Sequence, residues 1–220
     1  MRDDIVLKKT TVLEQIEIAP DVFVLTIDKQ NAKFKAGQVV ALTINMNVPP
    51  RIYSIASGEN KDHIDVLYDV VNDGTLTPKL KKLKKGDSVF VSQPYGSFKS
   101  DHSKAYWIAT GTGIAPFVSM IKSGYGKDKI LIHGARKEPY FYYADLFLSK
   151  LGRNYIRCCS QCTSNTNYAG RLTGYLSEQP YLPVDQNYYL CGVAEMVVDV
   201  RDLLIAKGVP YRRIISEIYF

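Results

Sequence analysis

The chain has 220 residues, 46% of them hydrophobic, and a formal net charge of +6, which is enough apolar material for a sizeable core and too much for a disordered chain. No run approaches the roughly 20 consecutive apolar residues that span a bilayer, and Met1 to Lys9 lack the apolar stretch of a secretion signal, so a soluble cytoplasmic protein is expected. The positive balance permits an acidic partner without choosing among nucleic acid, an anionic surface and an acidic protein.

In chain order, the first half reads as short strands with period-2 patterning at Val22–Ile27, Gln38–Ile44 and Ile64–Val70. Gly37, Pro49-Pro50, Gly58, Gly86-Asp87 and Pro94-Tyr-Gly96 punctuate them. Several such strands in close succession predict a small antiparallel barrel over residues 1–98. The basic run Lys79 to Lys85 places Leu80 and Leu83 at helical spacing. It reads equally as an amphipathic helix with a solvated face or as a docking patch.

The polar stretch 99–104 is the expected linker. From Ala105 the rhythm changes to apolar strand, glycine-containing loop and helix, with strands at Ala105–Thr110, Lys129–His133, Tyr155–Cys159, Tyr188–Cys191 and Ile214–Ile218. The clearest helical pattern is Glu195–Ala206. Such alternation predicts a parallel α/β sheet with helices on both faces over 105–220. Of the four cysteines, Cys158, Cys159 and Cys162 lie within five residues and Cys191 stands apart. They read as thiols, and neither the plant-ferredoxin nor the zinc-ribbon spacing is present, so no metal site is expected.

Two segments carry chemistry. Thr110-Gly-Thr-Gly-Ile-Ala-Pro116 follows an apolar strand and opens a helix, and its glycines and exposed N–H groups suit an anion. Proline stands where G-x-G-x-x-G has its third glycine, which disfavours an ordinary Rossmann dehydrogenase. Arg51-Ile-Tyr-Ser54 combines a phosphate-binding cation, a flat ring and a hydroxyl, a set suited to a dinucleotide. As a strand it also fits an exposed edge with a mixed surface.

Arg51-Ile-Tyr-Ser54 resembles the Arg-x-Tyr-Ser flavin motif of the ferredoxin–NADP⁺ reductase family. Four further segments match that family in order: Gly74-Thr-Leu-Thr-Pro-Lys-Leu80, Gly111-Thr-Gly-Ile-Ala-Pro-Phe117, Cys191-Gly192 with Met196, and Glu217-Ile-Tyr-Phe220. The resemblance implies a Greek-key β-barrel that binds FAD and an α/β half that binds a nicotinamide dinucleotide. It assigns Arg51 to the FAD pyrophosphate, Tyr53 to the isoalloxazine and Ser54 to flavin N5, with Ile52, Gly74 and Leu76 beside them. Leu67, Tyr68 and Val70 are expected along the flavin cleft, and Thr77 with Pro78 as a helix cap and first turn near the second phosphate. Gly111, Thr112 and Gly113 are expected near the nicotinamide and its pyrophosphate. Cys191 and Glu217 would flank the hydride path, and Tyr219 would cover the second flavin face, with Phe220 beyond it.

Relatives often carry Ser-Arg for the 2′-phosphate where this chain has Ser160-Gln161. Gly170-Arg171 resembles a segment whose arginine makes that contact, and Arg136 is expected on the same side. The resemblance therefore favours NADP(H), with NAD(H) as the alternative. The implied activity is hydride transfer between NAD(P)H and flavin, with single electrons passed to or from a ferredoxin or flavodoxin, an acidic electron carrier. No nucleic-acid or membrane partner is expected. The rivals are the reductase component of an oxygenase system and a non-catalytic electron-transfer subunit of a larger enzyme.

Overall fold

The computed structural model describes residues Val6–Cys162 and Asn167–Tyr219. They divide into two compact units: the chain through Lys99 with Ala115–Ser123, and Ser100–Ile114 with the chain from Gly124 onward.

The first unit is built from β1 (Leu7–Ala19), β2 (Val22–Asp28), β3 (Val39–Thr43), β4 (Arg51–Ser54), β5 (His63–Asp69) and β6 (Ser88–Ser92). Their order is β4-β3-β6-β1-β2-β5, and every pairing is antiparallel. An isolated bridge from Ile55 to Val66 joins the two ends of this order. β1 divides its length between its neighbours, pairing with β6 through Leu7–Thr11 and with β2 from Val12 onward, and register shifts after Val12 and Glu17 bend it. Alternate residues such as Leu25, Ile27, Leu42, Ile64, Val66 and Val89 fill the interior.

Among the described residues two α-helices belong to this unit. The first, α1, is only Thr77–Leu80. Turns follow it, so the expected helix over the lysine run stops after Leu80, whose buried side chain holds it, while Lys79, Lys81, Lys82, Lys84 and Lys85 stay exposed. The second, α2 (Ala115–Lys122), is buried from Ala115 through Ile121. Its ties lie in the first unit: Phe117 meets Phe98 edge-on at 5.8 Å, Ser119 Oγ donates to Ser57 O at 2.6 Å, and Lys122 Nζ lies 3.3 Å from the Asp65 carboxylate. The expected limits at 105–220 leave this helix with the second half; its packing puts it in the first.

The second unit contains β7 (Ala105–Thr110), β8 (Lys129–Ala135), β9 (Tyr155–Cys159), β10 (Tyr168–Ala169), β11 (Asn187–Val193) and β12 (Ile214–Tyr219). All pairings are parallel in the order β10-β9-β8-β7-β11-β12. Ile108, Ile132, Cys158, Tyr188 and Leu190 share one face with α4 (Leu172–Glu178) and α5 (Ala194–Ala206). Period two turns His133 and Tyr155 to the other face, where Phe147 of α3 (Ala144–Leu151) packs 5.5 Å from Tyr155. None of the described helices is long and apolar enough to cross a membrane.

His133 is fully buried. Its Nδ1 lies 3.0 Å from the Tyr155 hydroxyl, its Nε2 has no hydrogen-bond partner among the described residues, and burial pushes its pKa from 6.5 down to about 3. Folding therefore excludes a proton that the unfolded chain accepts. Its stabilising contribution is complete above pH 6.5 and is lost as pH falls toward 3, by up to about 1.4 kcal/mol per pH unit. We expect His133→Phe to flatten the acid limb of stability, measured by urea unfolding between neutral and weakly acidic pH. A slope identical to the parent's would assign the acid sensitivity to other groups.

Candidate flavin and nicotinamide sites

In the first unit the flavin motif occupies β4, an edge position in the strand order. Burial rises along it: Arg51 is exposed, Ile52 is 46% exposed, Tyr53 is half-buried, and Ser54 is 2% exposed. Arg51 makes no ion pair among the described residues, so its guanidinium is available to an anionic group. Burial raises the Tyr53 phenol pKa against the opposing charge of Arg51, so the ring stays neutral. A cation at the open end of the strand and a neutral ring inside it fit the charged and flat parts of FAD.

On β5, Leu67 and Tyr68 are both buried, but period two sends them to opposite faces. Tyr68 belongs to the barrel core, stacked 5.6 Å from Phe23 and edge-on to Tyr53 at 6.4 Å, and its hydroxyl donates to Gln15 Oε1 at 2.9 Å. Val70, just past the strand, donates its N–H to Asp21 O at 2.8 Å.

The loop from Val71 to Thr77 is closed on itself. Gly74 N donates to Val71 O at 2.8 Å, and Thr77 Oγ1 accepts from Val71 N at 2.9 Å. This corrects the expected cap: Leu76, itself 2% exposed, is the residue that precedes the helix, with no side-chain cap bond, and the Thr77 hydroxyl is engaged by the loop. A Cβ at Gly74 would stand 2.9 Å from Val71 O, which explains the glycine.

In the second unit the chain runs outward from β7 in one direction through β8, β9 and β10, then returns to β11 and β12 on the other side. The strand order therefore reverses between β7 and β11, and ligands of open parallel sheets bind at the carboxyl ends of strands at such a reversal. Thr110 ends β7 there, and Gly111–Ile114 form a 3₁₀ turn. Cys191 is buried and pairs in register with Ala109 on one side and with Glu217 on the other. The pairing continues to Gly192–Ile218 and Val193–Tyr219. Thus Thr110–Gly113, Cys191, Gly192 and Glu217 are brought to one end of the sheet. Phe220 and the side chain of Tyr219 lie outside the described residues.

Close backbone approach accounts for two glycines. A Cβ at Gly113 would lie 2.4 Å from Cys191 O, and one at Gly192 would lie 2.4 Å from Thr110 Oγ1 and 2.7 Å from the Met196 terminal methyl. Nothing lies within 4 Å of a Cβ at Gly111, and Thr112 beside it is half-buried. Thr110 opens the glycine segment read from the sequence but was given no role there; its buried Oγ1 has no hydrogen-bond partner among the described residues. An unsatisfied hydroxyl beside an open glycine turn fits the amide or phosphate oxygens of a nicotinamide nucleotide.

The residues expected near the 2′-phosphate also converge. Ser160 N donates to Ala135 O at 3.1 Å, Gln161 N to Arg136 O at 3.0 Å, and Gly170 N to Cys159 O at 2.8 Å. These bonds tie the ends of β8, β9 and β10 together and leave Arg136, Ser160, Gln161 and Arg171 exposed around them. The cysteines depart from expectation. Cys159 and Cys162 form a disulfide with a Cα–Cα distance of 5.5 Å, because a separation of three residues in the turn after β9 brings them together. Cys158 stays a buried thiol whose pKa burial pushes up to about 12. Among the described residues there is no cluster of metal-binding groups.

Comparison with known proteins defines the class. Residues 6–100 match the oxidoreductase FAD-binding domain and residues 107–202 the oxidoreductase NAD-binding domain. The molecule is therefore a two-domain, FAD- and nicotinamide-dependent oxidoreductase. It is 37% identical over 207 residues to a ferredoxin–NADP reductase of Pseudomonas aeruginosa, covering 80% of each chain. It is 30% identical over 203 residues to the flavodoxin/ferredoxin–NADP reductase of Escherichia coli, covering 81% of this chain and 82% of that one. The chain belongs to the ferredoxin–NADP⁺ reductase family. Its fold superposes on a ferredoxin NADP⁺ reductase of Neisseria gonorrhoeae, solved with bound FAD and NADP, with a TM-score of 0.87 at 21% identity, covering 97% of this chain and 99% of that one.

Proposed function

We propose that the chain is a cytoplasmic reductase that exchanges electrons between NADP(H) and an acidic ferredoxin or flavodoxin. The observation that carries this reading is the set at the strand-order reversal, where the Gly111–Ile114 turn leaves β7 and Cys191 and Glu217 stand in register beside it. When bound, FAD supplies the hydride-accepting N5 and the passage from two-electron to one-electron chemistry.

The chain's own residues hold and orient the reactants. Arg51 neutralises the FAD pyrophosphate, Tyr53 flanks the flavin ring, and Ser54 directs its hydroxyl to N5. Thr110, Thr112 and the turn hold the nicotinamide end. Cys191 supplies a compact buried surface beside the nicotinamide, and Glu217 moves the proton that accompanies electron loss or gain. The role of aromatic cover over the flavin is assigned to Tyr219 by the family resemblance, its side chain lying outside the described residues. Arg171, Arg136, Ser160 and Gln161 read the adenosine end, and the exposed Arg171 favours a 2′-phosphate over a hydroxyl.

The test is anaerobic mixing of the yellow protein with NADPH and, separately, NADH, followed by flavin absorbance and identification of the released flavin. Bleaching by NADPH and release of FAD are expected. FMN, or an absorbance unaffected by either nucleotide, would overturn the proposal.

The partner reading makes its own prediction. Lys79, Lys82, Lys84 and Lys85 are exposed and make no ion pair among the described residues, whereas Lys81 is held by Asp21 at 2.5 Å. Reduction of an acidic ferredoxin should slow by several-fold between low ionic strength and ~0.3 M salt, since the screening length shrinks to about 10 Å at 0.1 M and below it at higher salt. The combined change Lys82→Glu, Lys84→Glu and Lys85→Glu should remove most of that salt dependence. Rates insensitive to both would make the lysines a solvated surface.

A further inference from the structure

We propose that Cys159 and Cys162 form a reversible dithiol–disulfide couple that sets the affinity of the adenosine-binding loop for nicotinamide nucleotide. The linkage rests on the functional reading above, and the couple on the cytoplasmic location it includes. The two cysteines bracket Ser160 and Gln161, so the disulfide closes a ring around the two residues assigned to the nucleotide's adenosine end. In a cytoplasmic protein a disulfide is normally transient and tied to redox chemistry, whereas a structural one belongs to oxidising compartments.

The two sulfurs differ in setting. Cys159 is 1% exposed and its Sγ lies 3.3 Å from Arg136 O, so on reduction its S–H can donate a hydrogen bond to that carbonyl. Its backbone is fixed to β10 through Gly170 N, and the residues after it to β8. Cys162 is half-buried and offers the accessible sulfur. The exchange follows from this difference. A thiolate of an incoming dithiol attacks Cys162 Sγ, the Cys159–Cys162 bond breaks, and Cys159 leaves as the thiol after protonation. The second thiol of the reagent then displaces Cys162 from the mixed disulfide. Two electrons and two protons pass to the chain, and the incoming dithiol becomes a disulfide. Cys158 and Cys191 are buried and take no part.

Closure of the ring limits the conformations open to Ser160 and Gln161, so the oxidised loop is organised for the ribose and its phosphate. The reduced loop must be ordered on binding. Reduction should therefore weaken NADP⁺ binding by about fivefold, the size expected for ordering roughly one residue's backbone. Flavin binding should not respond.

The experiment uses the FAD-loaded protein equilibrated in buffers of graded reduced and oxidised dithiothreitol. Acid-quenched samples are alkylated and their peptides weighed, and the same samples are titrated calorimetrically with NADP⁺ and with adenosine 2′-monophosphate. Two alkyl groups should appear together, on Cys159 and Cys162, as the buffer becomes more reducing. Both ligands should bind about fivefold more weakly in the reduced form. Cys162→Ser should bind them as the reduced protein does, whatever the buffer. Alkylation of both cysteines even in the most oxidising buffer would overturn the couple, and so would a disulfide that resists every ratio. Equal affinities in the two forms, or a Cys162→Ser variant matching the oxidised form, would overturn the linkage. Absence of NADP⁺ binding in both forms would also overturn it, together with the functional reading, while the peptide masses still decide the couple.

Discussion

Gly113→Ala should lower the rate of flavin reduction by NADPH about a hundredfold while leaving FAD content unchanged. The added methyl would stand 2.4 Å from Cys191 O and 2.6 Å from both the Cys191 carbonyl carbon and Gly192 Cα, all backbone atoms of the neighbouring strand end. No side chain can rotate away from that overlap. Either the turn or the end of β11 must move, and overpacking of this kind typically costs about 1–3 kcal/mol. A displacement of about 1 Å at a reacting group is sufficient for a loss near a hundredfold. Gly111→Ala is the control. Its Cβ meets nothing within 4 Å, and the residue only has to adopt a φ of +55°, so the loss should stay within a few-fold. Stopped-flow absorbance of both variants, with FAD occupancy from the visible spectrum, decides the matter. Equal losses would show that contact between the turn and β11 does not control the site.

Arg171→Ala should raise the Michaelis constant for NADPH by about tenfold or more and leave that for NADH within about twofold. A hydrogen bond to a charged group contributes about 1.5–3 kcal/mol, and exposure of this arginine places the effect at the lower end of the corresponding range. Gln161 supplies a hydrogen bond without charge, so it cannot compensate. Steady-state kinetics with both nucleotides provide the measurement, and Arg171→Lys should fall between parent and alanine. A parallel rise for NADPH and NADH would mean that Arg171 supports α4, which it precedes, and does not read the 2′-phosphate.

Much of the fold was legible because burial imposes a period. β7 and β9 have the limits that their apolar runs suggest, and α5 begins within one residue of the expected helix. β1 was not legible. Most of its 13 residues are exposed, and it changes partner midway, so no single face carries a continuous apolar alternation. Of the two readings of the lysine run, the helix falls short for a related reason: helical spacing of Leu80 and Leu83 is satisfied by one short turn, and the hydrophobic contact of Leu80 does not require the helix to continue.

The site divides the same way. Glycines and motif residues announced the Gly111–Ile114 turn, but the contact between Gly192 and Thr110 joins residues far apart in sequence and has no local signature. Thr77 offered the usual capping residue, yet a backbone N–H of the preceding loop competes for the same oxygen. The Cys159–Cys162 pair did have a signal, the C-x-x-C spacing, hidden by the adjacent Cys158.

Placement of α2 with the barrel has a practical consequence for anyone dividing the gene. A fragment ending near Lys99 would carry every barrel strand but would lose the helix that covers Phe98, Ser57 and Asp65, exposing apolar surface and stranding the Asp65 carboxylate without Lys122. The complementary fragment would begin with β7 and bear a largely apolar helix whose partners Phe98, Ser57 and Asp65 were left behind. Shuffling between relatives should therefore exchange residues 115–123 with the N-terminal portion, and the junctions belong on either side of that helix.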